Sequence, residues 1–216
     1  MINHKNKFIF IHVPKTAGHS IDTMFLGLGM VDEELWHYTS LEIIKKFNRK
    51  MWDEYFSFSI VRNPWSRFLS EYIWQGGNFK TAVETKWGNK NISFEDFCKS
   101  DFNWYPKYEK GCLSKTQLSY LVDEKDNICV KKIIKFENLQ EEFLDVFNKI
   151  GISKIIIPHK NKTEHKPYWE YYNDETKEIV AKKFAEDINR VLTDDDKKED
   201  VARQQLERDN KEYANI

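Results

Sequence analysis

The chain has few cysteines: Cys98, Cys112 and Cys129 are all there are, and no CxxC pair occurs. An odd count without that spacing suggests neither a zinc site nor a disulfide framework. The six histidines are scattered and show no HExxH pattern. Charge of one sign is not in excess either. The 34 Lys and Arg against 35 Asp and Glu leave a formal net charge of −1, which argues against a protein built to coat nucleic acid while leaving room for a local basic cleft. No apolar run is long enough to span a membrane, and the first residues carry no secretory core. The expectation is a soluble protein of the cytoplasm. What is present is ordinary globular composition. The 216 residues, 40% of them apolar, suit one domain with a sizeable core. The 15% aromatic share is first of all core material.

Strand–loop–helix units recur along the chain. In "KFIFIHV" (7–13), Phe8, Phe10 and His12 face one way and Ile9, Ile11 and Val13 the other, the pattern of a parallel strand buried on both faces. A helix is predicted over 20–29, closed by glycine. Another is predicted over 40–48, with Leu41, Ile44 and Phe47 as its apolar stripe. "YFSFSIV" (55–61) reads as a second strand. A helix over 64–74 follows it, with Pro64 in the first turn and Trp65, Phe68, Leu69, Tyr72 and Ile73 as its stripe. Ser93 to Asp96 has capping-box spacing before a short helix. A third strand is expected over 127–136, a helix over 138–151 closed by Gly151, and a single helix over 174–192. This order favours an α/β domain over 1–192 with a mostly parallel sheet. Residues 193–216 form a highly charged tail or exposed helix.

Two junctions carry chemistry. "HVPKTAGHS" (12–20) sits where a buried strand feeds a helix. Free backbone N–H groups and the helix dipole favour an anion at such a place. Lys15 adds a full charge, Thr16 and Ser20 add hydroxyls, and Gly18 lets a ligand approach the backbone. The competing reading is a plain strand-to-helix turn with a solvated lysine. The GxxxxGK[ST] spelling of a nucleoside triphosphatase is absent. "SIVRNPWSRFLSEY" (59–72) repeats the arrangement, with Arg62 at a strand end and Ser66 and Ser70 one turn apart on the next helix. Arg62 and Ser70 together suit a phosphate. Arg67 is the rival for that role, or else pairs with Glu71 or another acid. Two such junctions suggest a ligand with two phosphate-type groups.

"FIFIHVPKTAGHS" followed by "FSIVRNPWSRFLSEY" resembles the two cofactor-binding motifs of the sulfotransferases. The likeness is closest to the branch that includes the carbohydrate sulfotransferases, among them the heparan 2-O and chondroitin enzymes, and their bacterial relatives. It extends over residues 7 to 190, through an acidic-Asn-Leu turn at 137–139 and a C-terminal loop at 158–166. The resemblance implies a P-loop-like three-layer α/β fold and 3′-phosphoadenosine 5′-phosphosulfate (PAPS) as co-substrate, with the bisphosphate PAP as product. Lys15, Thr16, Ala17, Gly18, His19 and Ser20 would then hold the 5′-phosphosulfate end, and Arg62 and Ser70 the 3′-phosphate. In relatives the C-terminal loop folds over the nucleotide, which points to Lys160, Asn161, Lys162 and Thr163. His19 departs from the Thr or Ser more usual there.

Sulfuryl transfer requires in-line oxygens and neutralisation of the leaving phosphate. Lys15 is placed for the second task. No metal is called for, because a sulfuryl group carries less charge than a phosphoryl group. The acceptor hydroxyl needs a base, and histidine suits it. The candidates are His12, His19, His37, His159 and His165. His12 reads as a satisfied core residue, whereas His37, in "LWHYTS", resembles the base position of the 2-O-sulfotransferases and is the choice. Glu33 and Glu34 are the runners-up. The implied partner is a hydroxyl-bearing acceptor, a carbohydrate by analogy, and Trp74, Trp87 and Trp104 either line its site or belong to the core. A P-loop-type kinase of a small molecule and a non-catalytic nucleotide-binding module are the competing functions.

Overall fold

The computed structural model describes residues 1–78, 93–100, 115–153, 156–158, 165–192 and 205. Four strands form one sheet in chain order: β1 (Ile2–Asn3), β2 (Phe8–Ile11), β3 (Phe56–Val61) and β4 (Lys132–Lys135). β2, β3 and β4 run parallel, and β1 adds an antiparallel edge by pairing Ile2 with Ile9. The parallel register sets Ile11 beside Ser59 and Val61 beside Lys135. The strand ends, and the loops leaving them, therefore collect on one edge of the sheet, where open α/β sheets bind ligands.

Alternation along β2 divides the core. Phe8 and Phe10 join Ile21, Met24 and Phe25 of α1 (Gly18–Gly27) and Phe143, Val146 and Phe147 of α7 (Leu139–Ile150) on one face. Ile9, Ile11 and Val13 turn to the other face. There they meet Ile43 of α2 (Ser40–Phe47), Trp52 of α3 (Arg49–Glu54) and Leu118 and Leu121 of α6 (Leu118–Leu121). Helices on both sides of a mostly parallel sheet give the expected three-layer α/β arrangement. A third cluster joins Phe68 and Leu69 of α4 (Pro64–Asn78) to Phe94 and Phe97 of α5 (Phe94–Lys99) and Val180 of α8 (Asp174–Lys183).

Local signals act where the residues place them. Ser93 accepts from the Asp96 amide at 3.1 Å. Thr39 caps α2 in a capping box with Glu42. Gly151 closes α7 in the left-handed conformation, φ 69°.

Three expectations change. The predicted third strand keeps only Lys132–Lys135, because Asp123 accepts from the Lys125 and Asn127 amides and folds 123–127 into a turn. The buried apolar residue of α2 is Ile43, while Leu41, Ile44 and Phe47 are half-buried. The single helix of 174–192 is broken into α8 and α9 (Ala185–Arg190) at Phe184, which leaves helical geometry (φ −116°, ψ 32°). That break seats Phe184 in the third cluster and turns Asp187 fully inward. Cys98 and Cys129 are free thiols, and burial pushes Cys98 up to about 12, so it stays a protonated core residue.

Candidate active site

The first junction leaves β2 at His12 and Val13 and enters α1 at Gly18. Lys15 and Ala17 both hold positive φ, 68° and 69°, a conformation that costs a non-glycine residue about 1–2 kcal/mol. Thr16 is fully buried and donates its hydroxyl to the Val13 carbonyl at 2.8 Å, which locks the turn. Its side chain thus serves the loop. Ser20, the third residue of the helix, is buried, and His19 beside it is exposed.

Gly18 has a reason that the sequence did not disclose. A Cβ there would lie 2.0 Å from Cδ2 of His12 and 2.1 Å from its Nε2. The close approach is made by a histidine ring of this chain.

Lys15 is held rather than solvated. Its Nζ lies 3.8 Å from Oε2 of Glu71, a buried residue of α4, and 4.8 Å from the centre of the Trp74 ring. The carboxylate and the aromatic face steady the ammonium at the mouth of the loop.

The second junction leaves β3 at Val61. Arg62 stacks its guanidinium 4.2 Å from the Phe136 ring and donates through Nε to the Ser66 hydroxyl at 3.0 Å. Its Nη1 reaches the Lys15 carbonyl at 3.4 Å. Burial pushes Arg62 down to about 10, against the opposing pull of Glu137, with Arg67 adding a smaller push down. The residue remains a cation at neutral pH. Ser66 is therefore the serine on Arg62, whereas the sequence reading pairs Arg62 with Ser70. Ser70, one turn on, is half-buried and makes no side-chain hydrogen bond among the described residues. Asn63 caps α4, accepting from the Trp65 and Ser66 amides, and gives its own N–H to Glu137 at 2.9 Å.

Arg67 goes elsewhere. It is 1% exposed, donates through Nε to the Pro14 carbonyl at 3.0 Å, and lies 4.0 Å from Asp187. Asp187 accepts from the Gln117 and Leu118 amides at 2.9 and 2.8 Å. The Gln117 side chain pairs with both the N–H and the C=O of Arg62, at 2.9 and 2.8 Å. A closed ring results: Pro14, Arg67, Asp187, Gln117, Arg62 and Lys15. Gln117 and Asp187 escaped the reading of the sequence because nothing local marks a residue that pairs across 55 or 70 positions.

His37 lies ahead of α2 with a positive φ of 57°. Its ring is 4.8 Å from that of His12, edge to face, and 6.4 Å from Trp36. Because His12 packs on Gly18, His37 is tied to the first loop through one intervening ring. Glu34 is exposed and accepts from the Trp36 indole at 3.2 Å. Glu33 is half-buried and pairs its backbone with Ile2. His165 is exposed, on the wall of a cleft of about 690 Å³ that Asn63, Ser66, Phe136, Tyr168 and Trp169 also line. Lys160, Asn161, Lys162, Thr163, His159, Trp87 and Trp104 lie outside the described residues. Among the described residues, no group of three or more His, Cys, Asp or Glu is placed to hold a metal ion, and no helix is long and apolar enough to cross a membrane.

Lys15 and Arg62 thus place two centres of positive charge together at one edge of the sheet, flanked by a cleft and by a histidine pair. Residues 1–207 match the family described as the sulfotransferase family. A protein of Archaeoglobus fulgidus, described as uncharacterized, is 30% identical over 116 residues, covering 51% of this chain and 79% of its own. No solved structure matches the chain.

Proposed function

The chain belongs to the sulfotransferase family, and on that footing we propose that it moves a sulfuryl group from PAPS to an acceptor hydroxyl. The observation that carries this reading is the Arg62–Lys15 link at 3.4 Å. It makes two separate strand-to-helix junctions a single site with two cationic centres, as a nucleotide with phosphates at both ends of its ribose requires.

The residues present suit that co-substrate. The loop of Pro14–Gly18 offers its backbone and Lys15 to the phosphosulfate end. Arg62, oriented by Ser66, and Ser70 suit the 3′-phosphate. The cleft beside Ser66 has aromatic walls in Phe136, Tyr168 and Trp169 and is of a size for adenosine. Lys160, Asn161, Lys162 and Thr163 supply the covering loop in this reading.

In the reaction the acceptor oxygen forms a bond to sulfur while the bond between sulfur and the 5′-phosphate oxygen breaks, leaving PAP. His37 takes the acceptor proton. Lys15 neutralises the charge that gathers on the leaving phosphate, and its placement by Glu71 and Trp74 keeps it there before the reaction begins. A sugar hydroxyl is the first acceptor class to try, by likeness to the carbohydrate enzymes.

Calorimetric titration tests the donor assignment, with PAP compared against AMP and against ATP with Mg²⁺. Preference for PAP by at least about tenfold over AMP is expected, the worth of one charge-assisted contact. Preference for ATP would overturn the reading in favour of a kinase. PAP binding without transfer to any hydroxyl would mark a binding module.

A further inference from the structure

We propose that Asp22 and His12 are positioning residues for His37, an assignment that rests on the reading of His37 as the base. His12 continues the face of β2 that carries Phe8 and Phe10, where an apolar side chain would serve packing alone. It is instead an imidazole 6% exposed, paired with a carboxylate 7% exposed. Burying two such groups is unfavourable unless each satisfies the other. His12 Nδ1 lies 2.7 Å from Asp22 Oδ2, a charge contact out of hydrogen-bond alignment, and makes no hydrogen bond among the described residues.

The ring is fixed on every side. Phe10 stacks on it at 6.0 Å, the Cδ2–Nε2 edge fills the space that Gly18 leaves, and the His37 ring meets it at 4.8 Å and 82°. The Asp22 carboxylate lies against Nδ1 without an aligned hydrogen bond, and its charge favours a neutral imidazole that carries its proton on that nitrogen. A rigid ring with a settled tautomer then sets the attitude of His37. The Asp22 charge behind it favours the imidazolium that His37 becomes when it takes a proton. The other ionisable groups facing this pair are the Met1 amine, which donates to the Phe10 carbonyl at 2.8 Å, and Glu34, which with Met1, Asp22 and Trp36 lines a small cavity against His12. Burial lowers the Met1 amine to about 6 against the pull of Asp22, so Asp22→Asn lowers that amine further, whereas His12→Gln keeps the Asp22 charge.

Nitrogen-15 spectra of histidine-labelled full-length protein read tautomers and titration midpoints directly, without any substrate. His12, where neutral, is expected as the Nδ1–H tautomer. In Asp22→Asn the His37 midpoint is expected to fall by about half a pH unit or more, the direction set by losing a nearby negative charge. The acid limb of kcat is expected to move with it while the KM for PAPS holds. His12→Gln keeps the Asp22 charge and is expected to leave the His37 midpoint near that of the wild type while lowering kcat, since only the ring that orients His37 is lost. A His12 Nε2–H tautomer in the wild type, or a His37 midpoint unmoved in Asp22→Asn, would overturn the proposal. The wild-type tautomer decides even if a variant fails to fold. Coupled histidines in a wild type that turns over no hydroxyl would instead overturn the base assignment beneath it.

Discussion

The guanidinium of Arg62 donates to the backbone carbonyl of Lys15 across 3.4 Å. Residues that follow two different strands, 47 positions apart, therefore meet in space. In the proposed function, the charge assigned to one phosphate helps hold the loop assigned to the other.

Replacing Arg62 with Ala should weaken PAP binding about ten- to a hundredfold, the range for a charged hydrogen bond. AMP binding should change less. Calorimetry at neutral pH reads both. In the wild type, burial lowers Arg62 to about 10, so its charge is complete below that value and is lost as pH rises through it. The part of PAP affinity that disappears in Arg62→Ala should be constant from pH 7 to pH 9 and decline above pH 10.

Lys15→Ala should cut turnover about a hundred- to a thousandfold, the cost of removing one preorganised donor from a developing charge. Activity near that of the wild type would place the loop outside the chemistry.

His37→Ala should lower turnover by about two to four orders of magnitude with nucleotide binding intact. Single-turnover kinetics and calorimetry on the same variant separate the two effects. Loss of PAP affinity would make His37 a donor contact.

Gly18→Ala should destabilise the fold by about 1–3 kcal/mol, because the added methyl meets the His12 ring and neither backbone nor ring has room to move. Urea denaturation measures it. Adding His12→Ala should recover part of the loss, and a double-mutant cycle showing simple additivity would contradict the contact.

Asp187→Ala should cost about 3–5 kcal/mol, since it strands Arg67 in the core and two amides beside it. Burial raises the Asp187 carboxyl, against the pull of Arg67 and of its amide donors. The folded chain therefore holds more protons than the unfolded one, from the ordinary carboxylate value of about 3.9 up to the raised value. The stability this group contributes should fall as pH rises through that window and level off above it. Denaturation at several pH values, with Asp187→Asn as the reference lacking the titration, shows the sign.

Much of the fold was legible because its signals are local. The alternation of Phe8 and Phe10 against Ile9, Ile11 and Val13 assigns each residue to its face, and those sets fall into different clusters. Pro64, Ser93 and Gly151 mark helix ends by their own backbone chemistry. The two-residue β1 carries no such signal, and the break at Phe184 depends on what Asp187 finds inside the molecule. The candidate site divides in the same way. Lys15 and Arg62 stand out in their motifs. Their partners Glu71, Ser66 and Gln117, and the Asp22 that pairs with His12, become visible only when the chain is folded. Thr16 shows the limit most plainly: its hydroxyl suggests a ligand, and the folded loop turns it inward to Val13.

The ring through Pro14, Arg67, Asp187, Gln117, Arg62 and Lys15 also bears on motion. None of its links can open alone without leaving a buried partner unsatisfied, so the loop, the end of β3 and α9 should open as one unit. Hydrogen exchange would then show the amides of Arg62, Gln117 and Leu118 trading with solvent at a common opening free energy. Arg62 would be protected like a strand residue although it lies beyond the last residue of β3. A site assembled in this way is either whole or absent, and the ligand meets a cradle whose shape was set before it arrived.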